Sequence, residues 1–213
     1  MNFPLGITVT FGKSAVPCLT SSILSLNGKT LLSVSELATE ALYNTTNSAQ
    51  FAAESLAQCK SNAYSFGCSF AEVEVDVALC KARVTKLLNV HDCGRLINPK
   101  LALGQVHGGM SMSIGYGMGE QLLFDEKTGK PLNNNLLDYK LSTALDHPDL
   151  DGYFVENPEP TSPFGTKALG EPPTVPCAPA IRNAILNATG VALDSAPMTP
   201  HLLFKRFSEE GLL

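Results

Sequence analysis

The chain contains no tryptophan, no long apolar run and no cluster of basic residues. Its 213 residues include 15 lysines and arginines against 20 acidic residues, which gives a net charge of −5. A nucleic-acid-binding protein needs a basic surface, so this composition argues against that class. No apolar stretch approaches the roughly 18–20 residues of a membrane helix, and the N-terminus lacks the pattern of a signal peptide. We therefore expect a cytoplasmic protein with neither nucleic-acid nor membrane partners.

The cysteines and histidines lack the spacings of common metal sites. The 6 cysteines include no CxxC pair, which argues against zinc-finger and iron–sulfur patterns. The 4 histidines form neither an HxxxH nor an HExxH motif, so we expect no metal held by protein ligands. The chain is too long and too apolar for a disulfide scaffold, and we expect most cysteines to be reduced and packed as small apolar side chains.

Local patterns in the first half of the chain predict one helix and one hairpin. Ser33 and Glu36 form a capping box, which indicates a helix over Ser35–Tyr43. In Phe70–Val77 valines alternate with acidic residues, and a similar alternation follows in Arg83–Val90. Strict alternation is typical of strands with one buried and one wet face, so these two runs predict an antiparallel hairpin.

The second half combines helices with short strands. Asn98 is a good N-cap for a helix over residues 99–121, and residues 125–129 contain the turn of a second hairpin. Asp151–Val155 predicts a strand, and Pro179–Ala188 predicts a short helix. Hairpins dominate and no βαβ alternation is visible. The predicted fold class is therefore α+β, with antiparallel hairpins packed against a glycine-rich helix and a short C-terminal helix.

The glycine-rich helix raises a question about its purpose. A glycine inside a helix costs about 0.5–1 kcal/mol relative to alanine, so repeated glycines such as Gly104, Gly108 and Gly109 need compensation. They allow either close packing through small residues or the approach of a bulky ligand, and the spacing favours neither. Gln105 is expected to be buried on this glycine face. Its amide would then need a partner, which a polar heterocycle could supply.

Glu171 stands directly before Pro172 and Pro173, with no basic residue beside it. A residue before proline is pushed towards extended backbone, and the prolines stiffen the chain that follows. The carboxylate would therefore be presented at a fixed place, as a general base requires. The alternative is that Glu171 only occupies a turn or a helix N-terminus, and the residues alone favour that alternative.

Four motifs change this balance when they are taken together. YSFGCSFAEVEVD, DCGRLINP, GQVHGG and KALGEPP follow one another in this order. They resemble the C-terminal half of the molybdenum-binding subunit of the xanthine dehydrogenase/aldehyde oxidase family. We accordingly divide the chain into an irregular N-terminal segment, residues 1–30, and a C-terminal molybdopterin-binding domain, residues 31–213.

The resemblance implies a molybdenum hydroxylase that acts oxidatively on a purine or a related N-heterocycle, as xanthine dehydrogenase does. It implies that Glu171 is the general base and that Gln105 hydrogen-bonds the pterin of the cofactor. It further implies that Gly108, Gly109 and Gly170 let the backbone approach that cofactor. The metal is held by the pterin dithiolene, so no protein ligand to the metal is expected.

The family's molybdenum subunit is much longer than this chain. The resemblance therefore implies four partners, namely a chain that supplies the first half of the subunit, an iron–sulfur subunit, a flavin subunit and a small-molecule substrate. The 2Fe-2S clusters and FAD are expected only in partner chains. The sequence leaves open whether the molybdopterin is in the mononucleotide or the dinucleotide form, although bacterial relatives usually carry cytosine dinucleotide. The isolated chain should be inactive.

Two alternatives remain open at this point. One is a hydroxylase half that acts on aldehydes or nicotinate. The other is a non-catalytic remnant or assembly module that keeps the fold without the cofactor. The retention of Glu171 and Gln105 favours a catalytic role, because a remnant is free to lose them.

Overall fold

The computed structural model of the protein describes residues 23–26, 29–43, 54, 56 and 63–213. The chain divides into two compact units, Met1–Ala57 and Gln58–Leu213. The predicted site residues all lie in the second unit. The predicted domain boundary between residues 30 and 31 stays a prediction.

The described residues of the first unit form a strand pair and one helix. Strands β1 (Ile23–Leu26) and β2 (Lys29–Ser33) pair antiparallel, and helix α1 (Val34–Tyr43) follows directly. The capping box is confirmed, because the Ser33 N–H donates to Glu36 Oε2 at 2.8 Å and the Glu36 N–H donates to Ser33 Oγ at 3.1 Å. For residues 1–30 the sequence predicts irregular structure with room for one short strand, and β1 is such a strand, too short to show a period.

The second unit is built on a three-stranded sheet in the order β3–β4–β5. Strands β3 (Phe66–Asp76) and β4 (Lys81–Asp92) form the predicted antiparallel hairpin. The acidic residues of β3 are exposed and its valines half-buried, as their alternation predicts. Cys80 takes a positive φ of 50° in the connecting turn, and the Asp76 carboxylate supports this turn by accepting a hydrogen bond from the Leu79 N–H at 2.9 Å.

Strand β5 (Asp149–Phe154) corrects the expectation that no βαβ unit exists. It pairs with β4 in parallel, and helix α2 (Pro99–Met118) lies between the two strands in sequence. A parallel pair needs such a crossover connection. The long irregular segment between α2 and β5 hides this connection from a search for regular alternation. The predicted second hairpin is reduced to one bridge between Phe124 and Pro131.

Three helices surround the core of the second unit. Helix α2 begins as predicted, because the Asn98 side chain accepts a hydrogen bond from the Leu101 N–H at 3.1 Å. Helix α3 (Cys177–Thr189) ends at Gly190, which takes the left-handed conformation with φ 75°. Helix α4 (Pro200–Glu209), capped by Thr199, was not predicted.

The core draws its apolar side chains from the sheet and from all three helices. The fully buried members are Leu87, Val106, Met110, Cys177, Ile181, Ile185, Leu203 and Phe207. Three free cysteines, Cys80, Cys93 and Cys177, are buried as expected, whereas Cys68 is exposed. Cys18 and Cys59 lie outside the described residues. Across the described part of the chain, no helix has the length and apolar character needed to cross a membrane.

Candidate cofactor site at the Glu171 turn

Glu171 precedes a short 3-10 helix, Pro172–Thr174. Its backbone is helical, with φ −84° and ψ −37°, so the expectation of extended backbone was wrong. The Thr174 N–H donates to the Glu171 carbonyl at 2.9 Å and closes the turn, which outweighs the usual preference of a residue before proline. The Glu171 side chain is exposed and does not cap this helix.

The Glu171 turn, which we define as residues 170–174, packs directly on helix α2. Pro173 is buried, and a Cβ atom added to Gly109 would lie 3.0 Å from Pro173 Cβ and 3.1 Å from Thr174 N. The Tyr116 hydroxyl donates to the Thr174 carbonyl at 3.1 Å. Gly109 therefore allows the turn to approach the helix closely, which is the packing interpretation of the glycines.

Other glycines of α2 face open space. A Cβ atom on Gly104 or Gly108 would meet no described atom within 4 Å. Gln105 lies between them and is exposed, so the expectation that it is buried was wrong. The buried residues of this part of α2 are Ala102 and Val106, next to which Gln105 is exposed. We call Gln105 and Gly108 the open strip of α2.

The open strip lies beside the Glu171 turn. Gln105 Oε1 lies 3.8 Å from the position that a Cβ atom on Gly170 would take. Gln105 also faces a groove of about 450 Å³ between the DCG segment, the start of α2 and the chain that leads to the Glu171 turn. The groove is lined by residues that include Cys93, Arg95, Leu101, Gln105, Lys167 and Leu169.

The DCG segment and the KALGEPP segment are joined by a buried ion pair. Lys167 Nζ lies 2.7 Å from Asp92 Oδ2, and the side chains are only 4% and 11% exposed. The Lys167 N–H also donates to the Cys93 carbonyl at 2.8 Å. Gly94 has φ +72°, and a Cβ atom there would lie 2.2 Å from the Gly165 carbonyl oxygen, so this contact requires glycine.

A second buried polar residue holds the other end of the Glu171 turn. The Asn89 side chain is fully buried, and its Nδ2 donates to the Pro173 carbonyl and to Ser69 Oγ, each at 3.1 Å. Sequence analysis missed both Asn89 and the Asp92–Lys167 pair, because the partners are far apart along the chain. Among the described residues, no three His, Cys, Asp or Glu side chains form a group that could hold a metal ion.

Residues 13–148 match the family model of the molybdopterin cofactor-binding domain. The chain belongs to this molybdopterin-binding family. The matched range includes Gln105, Gly108 and Gly109 and ends before Glu171. The family assignment predicted from the motifs is thereby confirmed.

Individual relatives agree with the molybdopterin-binding family. A putative xanthine dehydrogenase molybdenum-binding subunit of Escherichia coli K12 is 48% identical over 183 residues, which cover 86% of this chain and 24% of that protein. A reconstituted CO dehydrogenase from Oligotropha carboxidovorans matches with a TM-score of 0.61 at 32% identity, covering 70% of this chain and 19% of that one. Quinoline 2-oxidoreductase from Pseudomonas putida 86 matches with a TM-score of 0.60 at 34% identity, covering 64% and 18%.

These matches confirm the α+β fold class and membership in a family of molybdenum-dependent oxidoreductases. The chain spans about a quarter of the length of the Escherichia coli relative, and less of the two solved structures.

His91 and Asp92 have shifted pKa values in this member of the molybdopterin-binding family. His91 is buried, and neither ring nitrogen has a hydrogen-bond partner with good geometry among the described residues. Burial lowers the pKa of His91 below 6.5, although the Ala168 carbonyl and Asp92 favour the charged form. Burial opposes ionisation of Asp92, but the hydrogen bonds from Lys167 and from the Gly94 N–H outweigh it and lower the pKa of Asp92 below 3.8.

These shifts predict a loss of stability in acid. Below pH 6.5 the unfolded chain binds a proton at His91 that the folded chain resists, so the free energy of unfolding falls as the pH drops towards the folded pKa. The contribution of Asp92 is present above pH 3.8 and is lost as the pH falls towards its lower folded pKa. Urea unfolding at about pH 7.5 and about pH 5.5 should show a smaller decrease for His91→Gln than for the unchanged chain. Equal decreases would contradict the assignment to His91.

Proposed function

We propose that this chain is the C-terminal part of the molybdenum-binding subunit of a molybdenum hydroxylase that acts on a purine or a related N-heterocycle. Family membership and the Escherichia coli relative support the reaction class. The observation that carries the proposal is the position of the exposed Glu171 on a turn seated against α2, directly beside the open strip. A general base needs this combination of access and fixed position.

The open strip and the Glu171 turn have features that suit a molybdenum–pterin cofactor. The Gln105 amide is exposed and has no hydrogen-bond partner among the described residues, so it can bind a polar heterocycle from the side. Gly108 and Gly170 leave room for the cofactor to reach the backbone. Gly109 does not face the cofactor in this proposal, and it allows Pro173 and Thr174 of the Glu171 turn to pack closely on the helix. When bound, the cofactor supplies the two-electron redox chemistry.

Glu171 supplies the acid–base chemistry in this proposal. Its carboxylate accepts the proton of the oxygen nucleophile. We further propose the cytosine dinucleotide form of the cofactor and a cytoplasmic location. The partners are a chain with the first half of the subunit and the subunits that carry 2Fe-2S clusters and FAD. The relatives are several times longer than this chain, which supports the need for a first half.

The Gly108→Ala substitution tests the proposed cofactor site apart from turnover. A methyl group there meets no described atom, so it should stabilise helix α2 by about 0.5–1 kcal/mol. It would also enter the space assigned to the cofactor, so molybdenum and pterin in the assembled enzyme should fall severalfold.

Gly104→Ala, one turn earlier on α2 and outside the open strip, is the matched control for the Gly108 experiment. It should stabilise the helix by a similar amount and leave the molybdenum content unchanged. Elemental analysis and unfolding curves give both quantities. Full molybdenum content in Gly108→Ala would contradict the proposed site.

A further inference from the structure

We propose that Asn89 and the Asp92–Lys167 ion pair are positioning residues that fix Glu171 for proton transfer by holding its turn at both ends. Both anchors belong to strand β4, whose residues Asn89 and Asp92 reach the segments on either side of Glu171. This inference rests on the proposed function of Glu171 as a general base. It adds that these residues hold the Glu171 backbone in the position that proton transfer requires.

The first anchor holds the chain before Glu171. Lys167 reaches Asp92 at 2.7 Å, and the Asp92 carboxylate is fixed in turn because Oδ1 accepts from the Gly94 N–H at 2.9 Å. The backbone is held as well, since the Arg95 N–H donates to the Gly165 carbonyl at 2.9 Å and Ser65 Oγ donates to the Ala168 carbonyl at 2.6 Å. A buried ion pair is often no more stabilising than an apolar pair of similar size, so its defined geometry is its clearer contribution here.

The second anchor holds the chain after Glu171. Asn89 Nδ2 donates to the Pro173 carbonyl at 3.1 Å and also to Ser69 Oγ on β3. The Tyr116 hydroxyl adds a bond to the Thr174 carbonyl. A fully buried amide that contacts a loop carbonyl leaves that loop little freedom, because breaking the contact strands a polar group in the core.

Between these anchors the Glu171 side chain makes no hydrogen bond to the described residues. Its side chain is exposed and makes no capping bond to the short helix that follows. The carboxylate therefore stays free to accept a proton, and its position must come from the backbone on either side. Precision matters because a displacement of about 1 Å at a reacting group can cost about 10²-fold in rate.

Substitution of each anchor in the assembled enzyme tests the proposal. Lys167→Met and Asn89→Leu should each lower kcat by about 10- to 100-fold and leave KM within about twofold. Molybdenum content per folded enzyme should not change. Hydrogen exchange at the backbone amides of residues 167 and 174 should become faster. In the unchanged protein these amides donate to the carbonyls of Cys93 and Glu171.

Lys86→Met is the matched control for Lys167→Met. Lys86 lies on β4, as Asp92 does, but its ion pair with Asp151 spans 3.8 Å and both side chains are about half exposed. This control should leave kcat and exchange in the Glu171 turn unchanged. If Lys167→Met does not fold, the uncharged double variant Asp92→Asn/Lys167→Met and Asn89→Leu carry the test.

The Glu171→Gln variant distinguishes a failure of the proposed general base from a failure of the positioning role. If Glu171→Gln retains turnover, the proposed function fails and the positioning role fails with it. If Glu171→Gln is inactive but both anchor variants keep kcat within about twofold, the general base stands and the positioning proposal is overturned. If kcat falls only in proportion to the amount of folded or molybdenum-loaded enzyme, the anchors have a structural role. That result would also overturn the proposal.

Discussion

We expect Glu171→Gln to lower kcat by about 10²- to 10⁴-fold while molybdenum and pterin stay bound in the assembled enzyme. Glutamine keeps the size and shape of the side chain but cannot accept a proton at neutral pH. Glu171 is exposed and lies on a turn whose seat on α2 depends on Gly109, Pro173 and Thr174. The substitution therefore leaves the packing of the turn intact and removes only the base.

The matched control for this substitution is Glu74→Gln. Glu74 is an exposed residue on β3, and nothing in its surroundings assigns it to the site. It should keep full turnover per bound molybdenum. Steady-state kinetics, normalised to molybdenum content, distinguish the two variants, and unchanged kcat in Glu171→Gln would rule out the proposed base.

The second large effect concerns stability. Lys167→Met should lower the free energy of unfolding by about 3–5 kcal/mol at neutral pH, because it leaves the buried Asp92 carboxylate without its cation. The double variant Asp92→Asn/Lys167→Met removes both charges and should recover most of that loss. The reason is that the cost of a broken buried pair lies mainly in the charge that remains.

Urea unfolding of the unchanged chain, Lys167→Met, the double variant and Lys86→Met measures these differences in the free energy of unfolding. Lys86→Met removes an ion pair whose side chains are about half exposed, so it should cost no more than about 1 kcal/mol. If Lys167→Met were as mild as Lys86→Met, the Asp92–Lys167 pair could not be the anchor described above. A double variant as unstable as Lys167→Met would show that an unpaired charge is not the cause.

Elements fixed by neighbouring residues could be predicted from the sequence. The Ser33–Glu36 capping box and the Asn98 cap each act within three residues, and the structure confirms both. The alternation in β3 reports the two faces of the strand directly. The parallel position of β5 and the presence of α4 depend on packing between distant segments, so local patterns do not contain them.

The candidate site, too, combines features that local sequence predicts with features that depend on distant contacts. The KALGEPP motif points to Glu171, but the helical backbone of that residue comes from a turn packed on α2, which a rule about residues before proline does not include. The glycines of α2 look alike in sequence, yet Gly109 is covered by the Glu171 turn and Gly108 is open. Asn89 becomes visible as an anchor only when its bond to the Pro173 carbonyl is seen, because 84 residues separate the two.

We propose above all that the Glu171 turn and the open strip form one side of a cofactor site, which further polypeptide completes. The most direct test of this claim measures turnover and molybdenum per chain for the 213-residue chain, alone and after assembly with the first half of the subunit. We predict neither turnover nor stoichiometric molybdenum for the chain alone, and both after assembly. Robust hydroxylase turnover by the purified chain alone would contradict the claim.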